Sequence, residues 1–73
     1  MDFPSIVKYV RDKLNMSQED LARAINVSYA SINRWENGKN RPNKLALSVF
    51  TVFCKQQGID IEKLRGKEGA SWR

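Results

Sequence analysis

Tyr29, Ala30, Asn33 and Arg34 are the residues of this chain whose types and spacing invite the most specific chemistry. On a helix turning about 100° per residue, Tyr29, Ala30, Asn33, Arg34 and Asn37 fall on one side and Ser28, Ile32 and Trp35 on the other. The first side carries two carboxamides, a guanidinium, a phenol and a methyl group, with no acid among them. Such groups suit the edges of bases: a guanidinium pairs with guanine, a carboxamide with adenine, and apolar atoms with a thymine methyl. Base contacts come mainly from the N-terminal part of a helix laid in a groove, which selects Tyr29, Ala30, Asn33 and Arg34. A second chemistry lies beside the first. Lys39 and Arg41, in the run Lys39-Asn40-Arg41-Pro42-Asn43, form a basic loop suited to clamping phosphate. Gln18 opens another helix, whose first backbone N–H groups attract anions. Contacts of this second kind position a protein without reading sequence. An ordinary solvated polar surface is the alternative for both groups.

Other chemistries are excluded by composition. The chain has no histidine and one cysteine, Cys54. Histidine acid–base catalysis, an intrachain disulfide framework and the usual four-ligand zinc sites are therefore out of reach. No paired nucleophile and base is present, so no enzyme and no cofactor is expected, and no small-molecule site can be inferred. Charge points toward a polyanion. Thirteen Lys and Arg against eight Asp and Glu leave +5, and the excess is uneven. Residues 1–26 balance. Residues 27–57 carry Arg34, Lys39, Arg41, Lys44 and Lys55 against Glu36 alone. No apolar run approaches the roughly 20 residues of a membrane-spanning helix, and the N-terminus lacks the order of a secretory signal. The expectation is a cytoplasmic protein with no membrane contact.

The elements that must hold these residues read as short helices. The 73 residues allow one domain, and their 18 Leu, Ile, Val and Phe support a small core. Pro4 and the spacing of Phe3, Ile6, Val7, Val10 and Leu14 predict a helix over 4–14, closed by Asn15 in the left-handed region. Ser17-Gln18-Glu19-Asp20 reads as a capping box for a second helix ending by Asn26. Ser28 caps a third, which Gly38 closes. Asn43 caps a fourth over about 44–57, and Asp60 caps a last turn from Ile61 to Leu64. The prediction is an all-α domain over 1–65, a compact bundle of about five short helices, followed by a flexible tail over 66–73. Trp35 and Cys54 are assigned to the core. Trp72 has no account.

The second and third helices meet the physical requirements of a helix-turn-helix. Ala22 is small enough for close crossing, Asn26 accepts positive φ in the turn, and Leu21, Ile25, Val27, Ile32 and Trp35 can tie both helices to a core. The runs Met16-Ser17-Gln18-Glu19-Asp20-Leu21-Ala22, Val27-Ser28, Arg34-Trp35-Glu36-Asn37-Gly38-Lys39 and Arg41-Pro42 resemble the phage-repressor/Cro-like (XRE) helix-turn-helix family over residues 5–64. The chain departs from the family pattern in having Asn26 for the common turn glycine and a fourth helix about one turn longer. The resemblance implies a lambda-repressor-like fold and sequence-specific binding of double-stranded DNA. It places Gln18, Asn37, Lys39 and Arg41 against phosphates; Ser28, first a cap, is counted with them. It also suggests an ion pair between Arg11 and Glu36 that orients the third helix.

The expected function is a DNA-binding transcriptional regulator acting by occupying an operator, and so a repressor. The alternatives are an antitoxin or restriction–modification control protein that also binds a protein partner, a helix-turn-helix interaction module without DNA binding, and a nonspecific RNA binder. The fourth helix raises the question of oligomeric state. Its one polar stripe is Lys44, Ser48, Thr51 and Lys55, and the rest of Leu45 to Cys54 is apolar. The first three helices can cover Leu47, Phe50 and Cys54. Leu45, Val49 and Val52 need another cover. One is the fold-back of Ile59, Ile61 and Leu64. The other is a second subunit, pairing helix 4 and residues 58–64 of two chains over a palindromic site.

Overall fold

The computed structural model describes residues 1–65, and among them every regular element is a helix. The elements are α1 (Phe3–Leu14), α2 (Gln18–Ala24), α3 (Tyr29–Glu36), α4 (Lys44–Gln56) and α5 (Ile61–Arg65). The tail read over 66–73, with Trp72, lies outside the described residues.

Each boundary has a local cause. Asp2 accepts from the Ser5 N–H at 3.1 Å, so α1 starts one residue before Pro4. Asn15 ends it with φ at 56°. Ser17 and Asp20 exchange reciprocal bonds of 3.0 Å with each other's backbone, the capping box of α2. That helix ends at Ala24, before Asn26. Asn26 takes φ at 58°, and the Val27 N–H returns to the Ala22 carbonyl at 2.9 Å. Ser28 caps α3 by accepting from the Ser31 N–H at 3.1 Å, and Asn43 caps α4 by accepting from the Ala46 N–H at 2.8 Å. Past α3 and α4, Gly38 and Gly58 hold φ at 72° and 78°, a region that glycine enters without a Cβ penalty. Asp60 accepts from the Glu62 N–H at 3.0 Å at the start of α5.

The core lies where α1, α3 and α4 meet. Phe3, Trp35 and Phe50 pack edge-to-face there, with centroids 5.7–6.5 Å apart. Ile6, Val7, Val10, Leu21, Ala22, Ile25, Ile32, Cys54, Ile59 and Ile61 complete it. Burial pushes the Cys54 thiol up to about 12, which leaves it a protonated, inert core residue. The α5 segment packs against α1 and α4, and the N-terminal ammonium donates to the Leu64 carbonyl at 3.0 Å.

That packing corrects one expectation. Ile59 and Ile61 are buried and Leu64 packs at the core's edge, but they do not cover the second apolar side of α4. Leu45, Val49 and Val52 stay 75%, 38% and 55% exposed. The reason is the direction of the chain after Gly58. The Ile59 N–H bonds back to the Cys54 carbonyl at 2.9 Å, which turns the segment toward the α1 side of α4.

Candidate nucleic-acid interface

The helix-turn-helix holds α3 against α2 and α1 through Leu21, Ala22, Ile25, Ile32 and Trp35, all buried. The opposite side of α3 faces outward. Tyr29 is 52% exposed, and Ala30, Arg34 and Asn37 are exposed with it. Lys39 and Arg41 are exposed in the loop that follows. Ser28 spends its hydroxyl on Ser31, bonding its N–H at 3.1 Å and its hydroxyl at 2.9 Å, so its first task is the cap.

Gln18 and Asn33 are placed differently from the rest. Both are half-buried where the start of α2 meets α3. The Gln18 Nε2 donates to Glu36 Oε1 at 3.0 Å, and the Asn33 Nδ2 donates to Gln18 Oε1 at 3.3 Å. One turn on, the Asn37 Nδ2 donates to Asn33 Oδ1 at 3.1 Å. The residue types foretell none of these bonds across elements. The only sequence signal is the i, i+4 spacing of Asn33 and Asn37, which allows such a pair on any helix.

Arg11 and Glu36 stand at the inner end of this row. The Arg11 Nε and Nη2 donate to the two Glu36 carboxylate oxygens at 2.5 and 2.9 Å, a bidentate pair. Arg11 Nη1 also donates to the Met16 carbonyl at 3.1 Å, which ties α1 to the residue before the α2 cap. The Glu36 side chain is 2% exposed and that of Arg11 19%. Burial works to raise the Glu36 pKa. Hydrogen bonds from Arg11 and Gln18 and the charges of Arg11 and Lys8 outweigh it, so the group lies below the usual carboxylate value and is ionised at neutral pH.

The geometry therefore offers an exposed face of mixed hydrogen-bonding and apolar groups, a row of amides beside it and a basic loop at its end. A helix-turn-helix family model matches residues 7–48, which include α2, α3 and the turn between them. The chain belongs to the XRE-type helix-turn-helix family. Two larger proteins are similar to this chain over most of its length. The HTH-type transcriptional activator BcrR of Enterococcus faecalis is 36% identical over 68 residues, covering 93% of this chain and 32% of that protein. The type II methyltransferase M1.ScrFI of Lactococcus lactis subsp. cremoris is 39% identical over 51 residues, 66% of this chain and 13% of that enzyme. This helix-turn-helix chain thus spans about a third of the one and about an eighth of the other. No solved structure is significantly similar to it. Among the described residues no helix is long and apolar enough to cross a membrane.

Proposed function

We propose that the chain is a DNA-binding transcriptional regulator that lays α3 in the major groove of a specific duplex site. The observation that carries this reading is the exposed Tyr29, Ala30 and Arg34 face on a helix locked from behind by the core and by Arg11–Glu36. The Arg34 guanidinium suits a guanine edge, and Tyr29 and Ala30 offer apolar edges to a thymine methyl. Gln18 and Asn37 flank the face with amide donors, and Lys39 and Arg41 extend it with charge, all suited to phosphate oxygens. Membership in the helix-turn-helix family and the likeness to a named transcriptional activator support the same class of function. Occupying an operator is enough to repress, and repression is the regulatory outcome proposed. Selection from a random duplex library by the full chain, at two salt concentrations, tests the reading. An enriched motif supports it, and equal retention of all sequences, or of RNA and DNA alike, overturns it.

The proposal extends to pairing of two copies through α4. Leu45, Val49 and Val52 repeat at helical spacing on an exposed face, beside a shallow depression of about 290 Å³ lined by Ala24, Ser48, Val49, Val52, Phe53 and Gln56. A twofold pair would set two α3 helices about 34 Å apart, one turn of DNA, over a palindromic operator. Three side chains a side is small against the roughly 1,200–2,000 Å² of a stable interface. The pair is accordingly weak in free solution and forms on the DNA.

A further inference from the structure

The amides between the Arg11–Glu36 pair and the outer face form a row whose direction has a single origin. A carboxylate carries no hydrogen and can only accept. Glu36 Oε1 therefore receives the nitrogen end of the Gln18 carboxamide. Gln18 must then turn its oxygen the other way, where it accepts from Asn33 Nδ2. Asn33 in turn presents its oxygen to Asn37 Nδ2. Three carboxamides that could each be flipped are all held one way round, and the opposite order would set an amide oxygen against the Glu36 oxygen.

We infer that Glu36, through Gln18, sets the orientation of a Gln18–Asn33–Asn37 amide relay, and that Asn33 is a positioning residue of the DNA-facing surface, not a reader of bases. The inference rests on the reading of α3 as the groove-facing helix. Asn33 differs from Tyr29, Ala30 and Arg34 in being half-buried and in having both ends of its carboxamide engaged, by Gln18 of α2 and by Asn37 at the end of α3 itself. To pair with adenine, the same group would have to serve Gln18, Asn37 and the base together from that recess. In the relay its work is to hold its neighbours. Each nitrogen of Gln18, Asn33 and Asn37 spends one hydrogen within the row and keeps a second. The two residues at the ends of Asn33's bonds, Gln18 and Asn37, are those suited to phosphate, and phosphate oxygens accept only. A carboxylate buried behind the interface thus keeps the amides that meet the backbone donor-side available, without touching DNA itself.

Asn33→Ala in the full chain separates the outcomes, with Asn33→Ser as a second, less truncating variant and thermal melts to confirm that each is folded. In the free protein, side-chain amide signals in 15N–1H spectra report the relay. The Asn37 amide loses its acceptor and its signals move, while the Gln18 amide, still bonded to Glu36, moves less. The reverse pattern overturns the direction, and unmoved signals overturn the relay. In binding, affinity for the selected duplex and for an unrelated duplex falls together, by roughly three- to tenfold for one hydrogen bond, and the base preference at every position is retained. Loss of preference at a single base pair would show that Asn33 reads that base. If the unaltered chain selects no motif, the DNA reading itself fails, and the spectra of the free protein still decide the relay.

Discussion

Arg11 and Glu36, 25 positions apart, show how much of this protein turns on one carboxylate. Glu36 closes a bidentate pair to α1, accepts the Gln18 amide at the start of α2, and belongs to α3. Removing either partner leaves a charge in a site with little water, so Arg11→Ala or Glu36→Ala is expected to cost about 2–4 kcal/mol. The double variant loses less than the sum, measured in urea melts. The pH dependence follows from the direction of the Glu36 shift. Its folded pKa lies below the unfolded value near 4.5. Its stabilisation is therefore fully present above that value and is lost as the pH falls through the folded pKa. Melts from pH 6 downward are expected to show a shallower acid loss in Glu36→Gln than in the unaltered chain. On the outer face, Arg34→Ala is expected to cost about 1–3 kcal/mol and to relax preference at one position of the half-site. A mutant that binds less tightly with unchanged preferences would assign Arg34 to a phosphate.

At the scale of elements, the helices are short, and their ends carry much of the specification. The α2 helix has seven residues, too few to persist alone in water. It is held by its capping box and by Leu21 and Ala22 in the core. Ser17→Ala removes one half of the box and is expected to lower stability by about 1 kcal/mol in thermal melts. DNA affinity falls with it if the start of α2 frays, since Gln18 follows directly. Asn26 sits in the turn with φ at 58°. Asn26→Ala is expected to cost about 1 kcal/mol, because a β-carbon without a polar group is penalised there.

The whole molecule adds charge distribution and symmetry. Lys39 and Arg41 follow the exposed face of α3 within a segment carrying one acid against five basic residues. Replacing either by Ala is expected to weaken binding to all sequences alike. It should also reduce the slope of log K against log salt by about one unit each. An unchanged slope in both would remove the loop from the interface. Pairing through α4 makes a separate demand. Val52→Glu is expected to leave the fold and half-site binding intact while abolishing cooperative binding to a palindrome, read in titrations beside sedimentation of the free protein. Equal cooperativity in the variant would place the pairing surface elsewhere.

The sequence by itself determined the helices, their caps and the motif, because each rests on neighbours within a turn or two. Ser17 with Asp20, Ser28 with Ser31 and Asn43 with Ala46 lie three positions apart, and the left-handed Asn15 and Asn26 sit at the ends of apolar periodicities. The buried stripe of Ile32 and Trp35 was legible for the same reason, and with it the outward face of Tyr29, Ala30 and Arg34. Only the tertiary structure decided where helices meet. It drew Asn33 from the exposed face into a recess beside Gln18, since the crossing of α2 and α3 depends on packing between residues far apart in the chain. It also turned Ile59 and Ile61 toward α1 and left Leu45, Val49 and Val52 in the open. Periodicity marks a helix side as apolar, but which element comes to cover it depends on the path of the whole chain.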